Sequence, residues 1–543
     1  MPASKGAENQ DLERRAPDAL GLLLGVLVAA LAMWAEPSDA SRAALALIGA
    51  LTLAWPLERA TRSEHRRTRL IVLLALVSVV QVAGPQTAKF AASWNVRIWN
   101  VYHYYLGAKY FEELGYTGLY DATLRVDRDG ADYWGSINRV RNLETYQVEA
   151  RSDREHSFEP GESFTPERWE AFRRDVEALS NQRSPGGWRR IFTDRGYNAS
   201  PAWTVLGKAI SSLAPADRPL ALKLLCSLDL LLLAATFALL FTVFGVRRSS
   251  IVLLLLTISP VNLNRFVGGF LQYDWFCAVA AALCFYRLRR PVSAAGLMAY
   301  AVLTRIFPLL FVASALIPAV RRRWTTGRWH PTSRRFLIAF SLWCSLGFSL
   351  SLFNGRGLAG WDEFRSNITT HREHHLYGER RVGLQFLFTH RLGSLHFDET
   401  VAERQTIYER QESVYAVSAA VLIVGFLLVV RRRRPEEALL LGLVPVFAVT
   451  VSSRYYWSYL ALLPLLGGRR GALADDPRWL GGAQLLVFAG YYLYDSLHGD
   501  PYSAYIVLNL LFLVYFVFIL TARTLAGPSC RKNGEPAARD RTP

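Results

Sequence analysis

The residues best placed to do chemistry are ionisable side chains at the ends of apolar runs. Asp274 closes the stretch Gly268-Gly269-Phe270-Leu271-Gln272-Tyr273 and stands directly before the apolar segment 275–286. A carboxylate at a membrane boundary costs about 2 to 3 kcal/mol unless it faces protein or water, so a functional role is the default expectation. Arg305 separates two apolar segments, and Arg454 precedes Tyr455, Tyr456 and Trp457. A guanidinium in either place can close a helix bundle by pairing with Asp274, anchor at the interface, or grip a phosphate through its planar fork. A third group lies in 94–111. At about 3.6 residues per turn, Trp94, Ile98, Val101 and Tyr105 share an apolar face flanked by Asn100, His103 and Lys109, which predicts an amphipathic helix lying on the outer leaflet. His103 needs little adjustment to exchange a proton near neutral pH; its plainer role is an interfacial imidazole among aromatic rings.

Further along, Asn367, His371 and Arg372 fall in a polar stretch that ends in His374 and His375. His371 and His375 are spaced i, i+4, the spacing that lets two imidazoles share a metal, but the His-Glu-x-x-His order is missing. No metal ligand is assigned here; a divalent metal stays open, and Asn367 and His371 are read as acceptor contacts.

Positioning such groups falls to membrane helices. The chain has 543 residues, 51% of them apolar and 13% aromatic, and its apolar residues are gathered into runs suited to about 30 Å of hydrocarbon. These runs fall at 20–34, 43–57, 70–82, 220–244, 251–263, 275–286, 292–303, 307–320, 336–353, 414–430, 438–451, 457–466, 480–494 and 505–520. Several are only long enough for half-spanning or re-entrant helices, so the expected fold is an all-α, polytopic transmembrane bundle of about 10–14 helices. Five scattered cysteines (Cys226, Cys277, Cys284, Cys344, Cys530) exclude a disulfide scaffold or zinc ribbon.

The net charge of +17 is not spread as a nucleic-acid-binding stripe. It sits in clusters at 59–69, 247–248, 287–290, 321–335, 431–434 and 469–470, and positive-inside topology places these in the cytoplasm. Two long connections lack the excess: 85–219 holds 18 basic and 18 acidic residues, and 354–412 holds 8 and 9. The resulting organisation is a cytoplasmic tail with three membrane helices (1–84), a large extracytoplasmic loop (85–219), central helices (220–353), a second outer loop (354–412), C-terminal helices (413–522) and a cytoplasmic tail (523–543), with both termini cytoplasmic. The segment 20–34 also fits a cleaved signal peptide. Arginine outnumbers lysine 56 to 6, a bias associated with GC-rich bacterial genomes, so the expected location is a bacterial cytoplasmic membrane. The stretch 125–217 is charged and poor in apolar runs, and reads as a small helical insertion or a segment without fixed structure.

Together these features resemble a family. The polytopic layout, Tyr104-Tyr105 followed by Gly118-Leu119-Tyr120-Asp121, Gln272, the stretch Ala294-Ala295-Gly296 with Arg305-Ile306-Phe307-Pro308, and the box Ser452-Ser453-Arg454-Tyr455-Tyr456-Trp457-Ser458-Tyr459 are similar to bacterial membrane glycosyltransferases of the GT-C fold. The nearest group is the polyprenyl-phosphate-sugar-dependent alpha-mannosyltransferases of actinobacterial envelope assembly. The resemblance spans roughly 70–466 and implies transfer of a hexose or pentose, mannose first, from a polyprenyl-phosphate donor to a lipid or glycan hydroxyl on the outer face. Such a reaction requires a base at the acceptor, cationic groups where phosphate charge develops and a lipid-accessible groove. Arg305, Arg454 and Lys109 become donor-phosphate candidates, and Tyr104, Tyr105, Gln272, Asn367, His371 and Tyr456 substrate contacts. Where that family carries its aspartate this chain has Asn100, which cannot accept a proton as a base. Asp274 and His103 then lead as catalytic candidates, with Glu112, Glu113 and Asp121 behind them. Two other classes compete: a lipid-linked oligosaccharide flippase or transporter, for which no repeat symmetry is visible, and an inert assembly factor built on the same fold. Protein O-mannosylation is a lesser enzymatic alternative.

Overall fold

The computed structural model describes residues 38–54, 61–93, 96–180, 185–262, 265–373, 376–394, 397, 399–466 and 476–525. The expected segment 20–34, together with Trp94, His374, His375, Arg469, Arg470 and Cys530, lies outside them.

The architecture is all-α and polytopic. Five helical spans among the described residues are long and apolar enough to cross a membrane: Glu64–Ala92, Pro219–Ile258, Pro331–Asn354, Val401–Val430 and Pro501–Thr524; Pro291–Thr304 is apolar but shorter. Most other apolar runs also become helices, including Asp39–Ala54, Asp274–Arg287, Pro308–Thr326 and Pro477–His498. The run 457–466 instead lies in a 3-10 stretch, Arg454–Leu465. Proline opens helix after helix, at Pro291, Pro308, Pro331, Pro435, Pro477 and Pro501, because the first turn needs no amide donor and favours its fixed φ. The expected segments 220–244 and 251–263 meet in the trace Leu228–Ile258, broken at Gly245 with φ 78° and ψ 166°. Only glycine adopts that backbone without strain, so the division expected between them is a one-residue break.

Among the described residues, the buried apolar side chains gather into two cores. One unites the membrane helices. The other belongs to the first large loop and is rich in rings, among them Tyr102, Tyr120, Trp134, Trp188 and Trp203. In the part expected to be an insertion, the described residues form the helices Leu119–Asp129, Pro166–Ser180, Pro185–Phe192 and Pro201–Ser211, with an antiparallel hairpin that pairs Arg139–Arg141 with Val148–Ala150. At its centre run Ile98–Asn100, a π-helical turn Val101–Leu106, and Gly107–Lys109.

This central run departs from the amphipathic surface helix expected for it. Asn100, His103 and Lys109 are all buried. The π-turn widens the helical repeat beyond 3.6 residues, so the polar positions rotate inward, and the surrounding loop covers them. Lys109 donates to Asp175 at 2.7 Å and to Tyr105 at 3.1 Å, while Asp175 also accepts from Tyr110 at 2.8 Å and from the Ala216 amide at 2.6 Å. The loop helix Pro201–Ser211 is capped by Ser200, whose Oγ accepts from the Trp203 amide at 3.2 Å. The same Oγ donates to the Leu303 carbonyl at 2.7 Å, tying the loop to the end of the membrane helix Pro291–Thr304.

Replacing Lys109 with Met leaves the Asp175 carboxylate buried without its cation. Breaking such a pair costs about 3–5 kcal/mol; thermal unfolding in detergent should show a Tm well below wild type, and an unchanged Tm would refute the pairing's structural role.

Candidate functional site

The loop and the membrane helices meet around Asp274. It is the first residue of the helix Asp274–Arg287 and is buried. Its Oδ2 accepts from Trp203 Nε1 at 2.9 Å and from the Tyr300 hydroxyl, so a loop helix and a membrane helix converge on one oxygen. Oδ1 has no hydrogen bond of good geometry among the described residues. The preceding turn is held from behind by Asp229, which accepts from the Gln272 amide at 2.8 Å and the Tyr273 amide at 2.9 Å.

Arg305 caps the C-terminus of Pro291–Thr304. Its guanidinium stands over the Tyr456 ring, 5.5 Å from the centroid, and interacts electrostatically with Tyr104, Tyr455 and Asp274. Tyr456 packs against Tyr455 at 4.2 Å, Phe307 at 4.9 Å and Trp275 at 5.7 Å. Tyr104 donates to Asn198 Oδ1 at 2.6 Å, and its ring meets Trp203 at 5.5 Å. Asp274, Arg305, Tyr104 and Tyr456 thus share one assembly of charge, phenol and indole. A desolvated cation over aromatic faces is worth about 2 kcal/mol or more.

Further arginines surround this core. Arg97 donates to Gln272 Oε1 at 2.7 Å; burial and the neighbouring Arg265 lower its pKa to about 10, and Arg454 contributes in the same sense. Arg454 donates to the Tyr505 hydroxyl at 3.4 Å. A two-residue ladder pairs Arg381 with Ser453, which brings Arg381 beside Arg454 in the chain fold. Asn509 locks that ladder by donating to the Arg381 carbonyl at 2.9 Å and accepting from the Gly383 amide at 2.8 Å. Burial and then Arg195 bring the pKa of Arg381 down to about 10. Guanidinium groups that depress one another favour anions between them.

The other sequence candidates fall elsewhere. Asn100 accepts from the Phe270 amide at 2.5 Å and so shapes the turn leading to Asp274. Tyr105 donates to the Ala214 carbonyl and, with Lys109, belongs to the loop core. Asn367 donates to the Tyr197 carbonyl at 3.3 Å and accepts from Tyr146 at 3.2 Å; His371 stands 3.5 Å from the same Tyr146 hydroxyl. Glu112 pairs with Lys208 at 2.7 Å, Glu113 with Arg168 at 2.5 Å, and Asp121 with Arg154. No group of three metal-ligating side chains occurs among the described residues.

His103 Nδ1 lies 2.7 Å from the Trp99 carbonyl and Nε2 2.8 Å from the Tyr120 hydroxyl. Nδ1 donates to the Trp99 carbonyl, and burial lowers the pKa of the ring, which favours its neutral form. Beyond it lies Asp194, whose Oδ2 is 4.0 Å from Nδ1. Asp194, Arg97, Arg381, Trp203 and Tyr300 were not singled out by sequence reasoning. The one available signal was Ser200-Pro201, a helix start that marks 193–199 as an ordered turn.

A polytopic membrane protein with a cationic and aromatic site at the junction of loop and helices is the class this geometry defines. Residues 201–453 match the model of glycosyltransferase family 87, which indicates a membrane glycosyltransferase; the matched stretch contains Trp203, Asp274, Tyr300, Arg305 and Arg381 but not Tyr104 or Tyr456. No curated protein and no solved structure matches the chain.

Because His103 is neutral in the fold, the unfolded chain takes up a proton below about pH 6.5 that the folded chain does not. Stability is therefore retained above that pH and lost as pH falls toward the lowered folded value. The Tm of wild type should drop more between pH 7.5 and 5 than that of His103→Asn; equal drops would contradict a neutral buried ring.

Proposed function

We propose that this protein transfers a sugar, mannose first among candidates, from a polyprenyl-phosphate donor to a lipid or glycan hydroxyl on the extracytoplasmic face of a bacterial cytoplasmic membrane. The observation that carries this reading is the assembly of Arg305, Tyr456, Tyr104 and Asp274 where the first large loop meets the membrane helices. A donor whose phosphate sits at the headgroup and whose tail lies in lipid needs cationic groups at that depth, and Arg305, Arg454, Arg97 and Arg381 supply them. Orientation rests on the arginine clusters at 247–248, 287–290, 321–335 and 431–434, which positive-inside topology keeps on the cytoplasmic side.

In the reaction, the acceptor oxygen attacks the anomeric carbon as the bond to the phosphate breaks in line. Negative charge grows on the departing phosphate, and preorganised guanidinium groups stabilise it more in the transition state than in the ground state. Arg305 is the principal group in this role, because the tyrosines fix it. Asp274 orients Trp203 and Tyr300 and balances Arg305. Tyr104 and Tyr456 line the path of the sugar.

Purified protein in liposomes should transfer sugar from polyprenyl-phosphate mannose in preference to the glucose or arabinose donors. Arg305→Ala should lower kcat/KM by about 10²-fold or more, the loss expected for one transition-state donor. Transfer from nucleotide sugars alone, or full activity in Arg305→Ala, would overturn the assignment.

A further inference from the structure

The carboxylates of the first large loop differ in one respect that bears on catalysis. Among its described acidic residues that are not exposed, Glu113, Asp121, Asp127, Glu149, Glu155, Glu170, Asp175 and Glu177 each sit within 4.0 Å of a lysine or arginine nitrogen. Asp194 does not. Among the described residues, the one ion-pair partner within that distance is His103, at 4.0 Å, and the Asp194 side chain is 33% exposed.

The turn that carries Asp194 is nonetheless held firmly. The Tyr120 hydroxyl donates to the Ile191 carbonyl at 2.7 Å and accepts from the Gly196 amide at 3.2 Å, clamping both ends. Arg141 donates to the Thr193 carbonyl through Nε at 3.0 Å and through its terminal nitrogen at 2.9 Å. Gly196 has φ +67°, and a Cβ there would lie 2.7 Å from Leu143 Cδ1. Tyr120 and Arg141 therefore fix the backbone on either side of a carboxylate that no lysine or arginine nitrogen of the described residues approaches within 4.0 Å. Asp194 also interacts electrostatically with Tyr104, which in turn faces Arg305 and Tyr456, and with Arg381. It lies within electrostatic reach of Arg381 and Arg195 and is partly open to water.

Resting on the glycosyltransferase reading above, we infer that Asp194 is the catalytic base of this chain, taking the place that the amide of Asn100 cannot fill. The acceptor hydroxyl proton passes to an Asp194 carboxylate oxygen as the acceptor oxygen bonds to the anomeric carbon. The bond from that carbon to the phosphate oxygen breaks, and its electron pair leaves on the lipid phosphate. The acidic proton is released to water through the exposed edge of Asp194. His103, kept neutral by burial, is a positioning residue: it bounds the carboxylate without tying it into an ion pair. Asp274 is not suited to this step, because its burial keeps even the open Oδ1 from an incoming hydroxyl.

The test compares wild type, Asp194→Asn and Asp194→Glu in liposomes with polyprenyl-phosphate mannose and a soluble alkyl mannoside acceptor. The Asn variant should lose about 10²- to 10⁴-fold in kcat, the range for a positioned base. Its donor KM should stay level or fall, since a negative charge beside the arginines has been removed. The Glu variant should recover part of kcat. Wild-type kcat in Asp194→Asn would overturn the inference while leaving the glycosyltransferase reading intact. Loss of activity in step with loss of Tm would assign Asp194 to structure and overturn it as well. Failure of wild type to use any lipid-phosphate donor, seen without any variant, would overturn both.

Discussion

Everything at the site depends on how a guanidinium is held in place without a dedicated carboxylate. Arg305 stands at the end of an apolar helix, where an unpaired charge is costly, and the protein meets that cost with tyrosine faces: Tyr456 directly beneath it, with Tyr104 and Tyr455 in electrostatic reach. Asp274 contributes charge, yet its hydrogen bonds go to Trp203 and Tyr300. Aromatic rings lower the energy of the cation but do not cancel its charge. A group held this way retains its attraction for a phosphate.

The large loop follows from the same requirement. Trp203, Tyr104 and Asn198 reach the membrane helices only because the loop has its own core and is fastened to Leu303 by Ser200. Close approach is written into small residues: a Cβ on Gly207 would come within 2.9 Å of Ala108 Cβ, and one on Gly107 within 2.6 Å of the Tyr197 ring. The helix that carries Trp203 is thereby pressed onto the run that carries Tyr104. Both rings arrive together beside Asp274 and Arg305. Asn100, Asp229 and Gln272 act one step back, fixing the turn before Asp274 through backbone amides and Arg97.

The apolar segments were readable from the chain because spanning hydrocarbon sets a minimum length and leaves few charges. Asp274 and Arg305 were readable for the complementary reason, as ionisable groups where ionisation is expensive. The run 98–109 was readable as a helix but not in its facing, since periodicity of about 3.6 residues per turn does not anticipate the π-turn Val101–Leu106. Lys109, read as a phosphate ligand, is held by Asp175 for the same reason. Asp194 was marked only by the Ser200-Pro201 helix start that follows its turn. It is one of 18 acidic residues in 85–219, and only folding, which pairs its buried neighbours with arginine or lysine, sets it apart.

The central claim is that the outer loop and the membrane helices form one outward-facing site for a lipid phosphate. The most direct measurement is thiol labelling of an Asp194→Cys variant, made in a background with the five native cysteines replaced, by a membrane-impermeant maleimide on intact bacterial spheroplasts. The account predicts labelling from outside that slows when polyprenyl-phosphate mannose is added. Labelling that requires permeabilised membranes, or a rate the donor leaves unchanged, would contradict it.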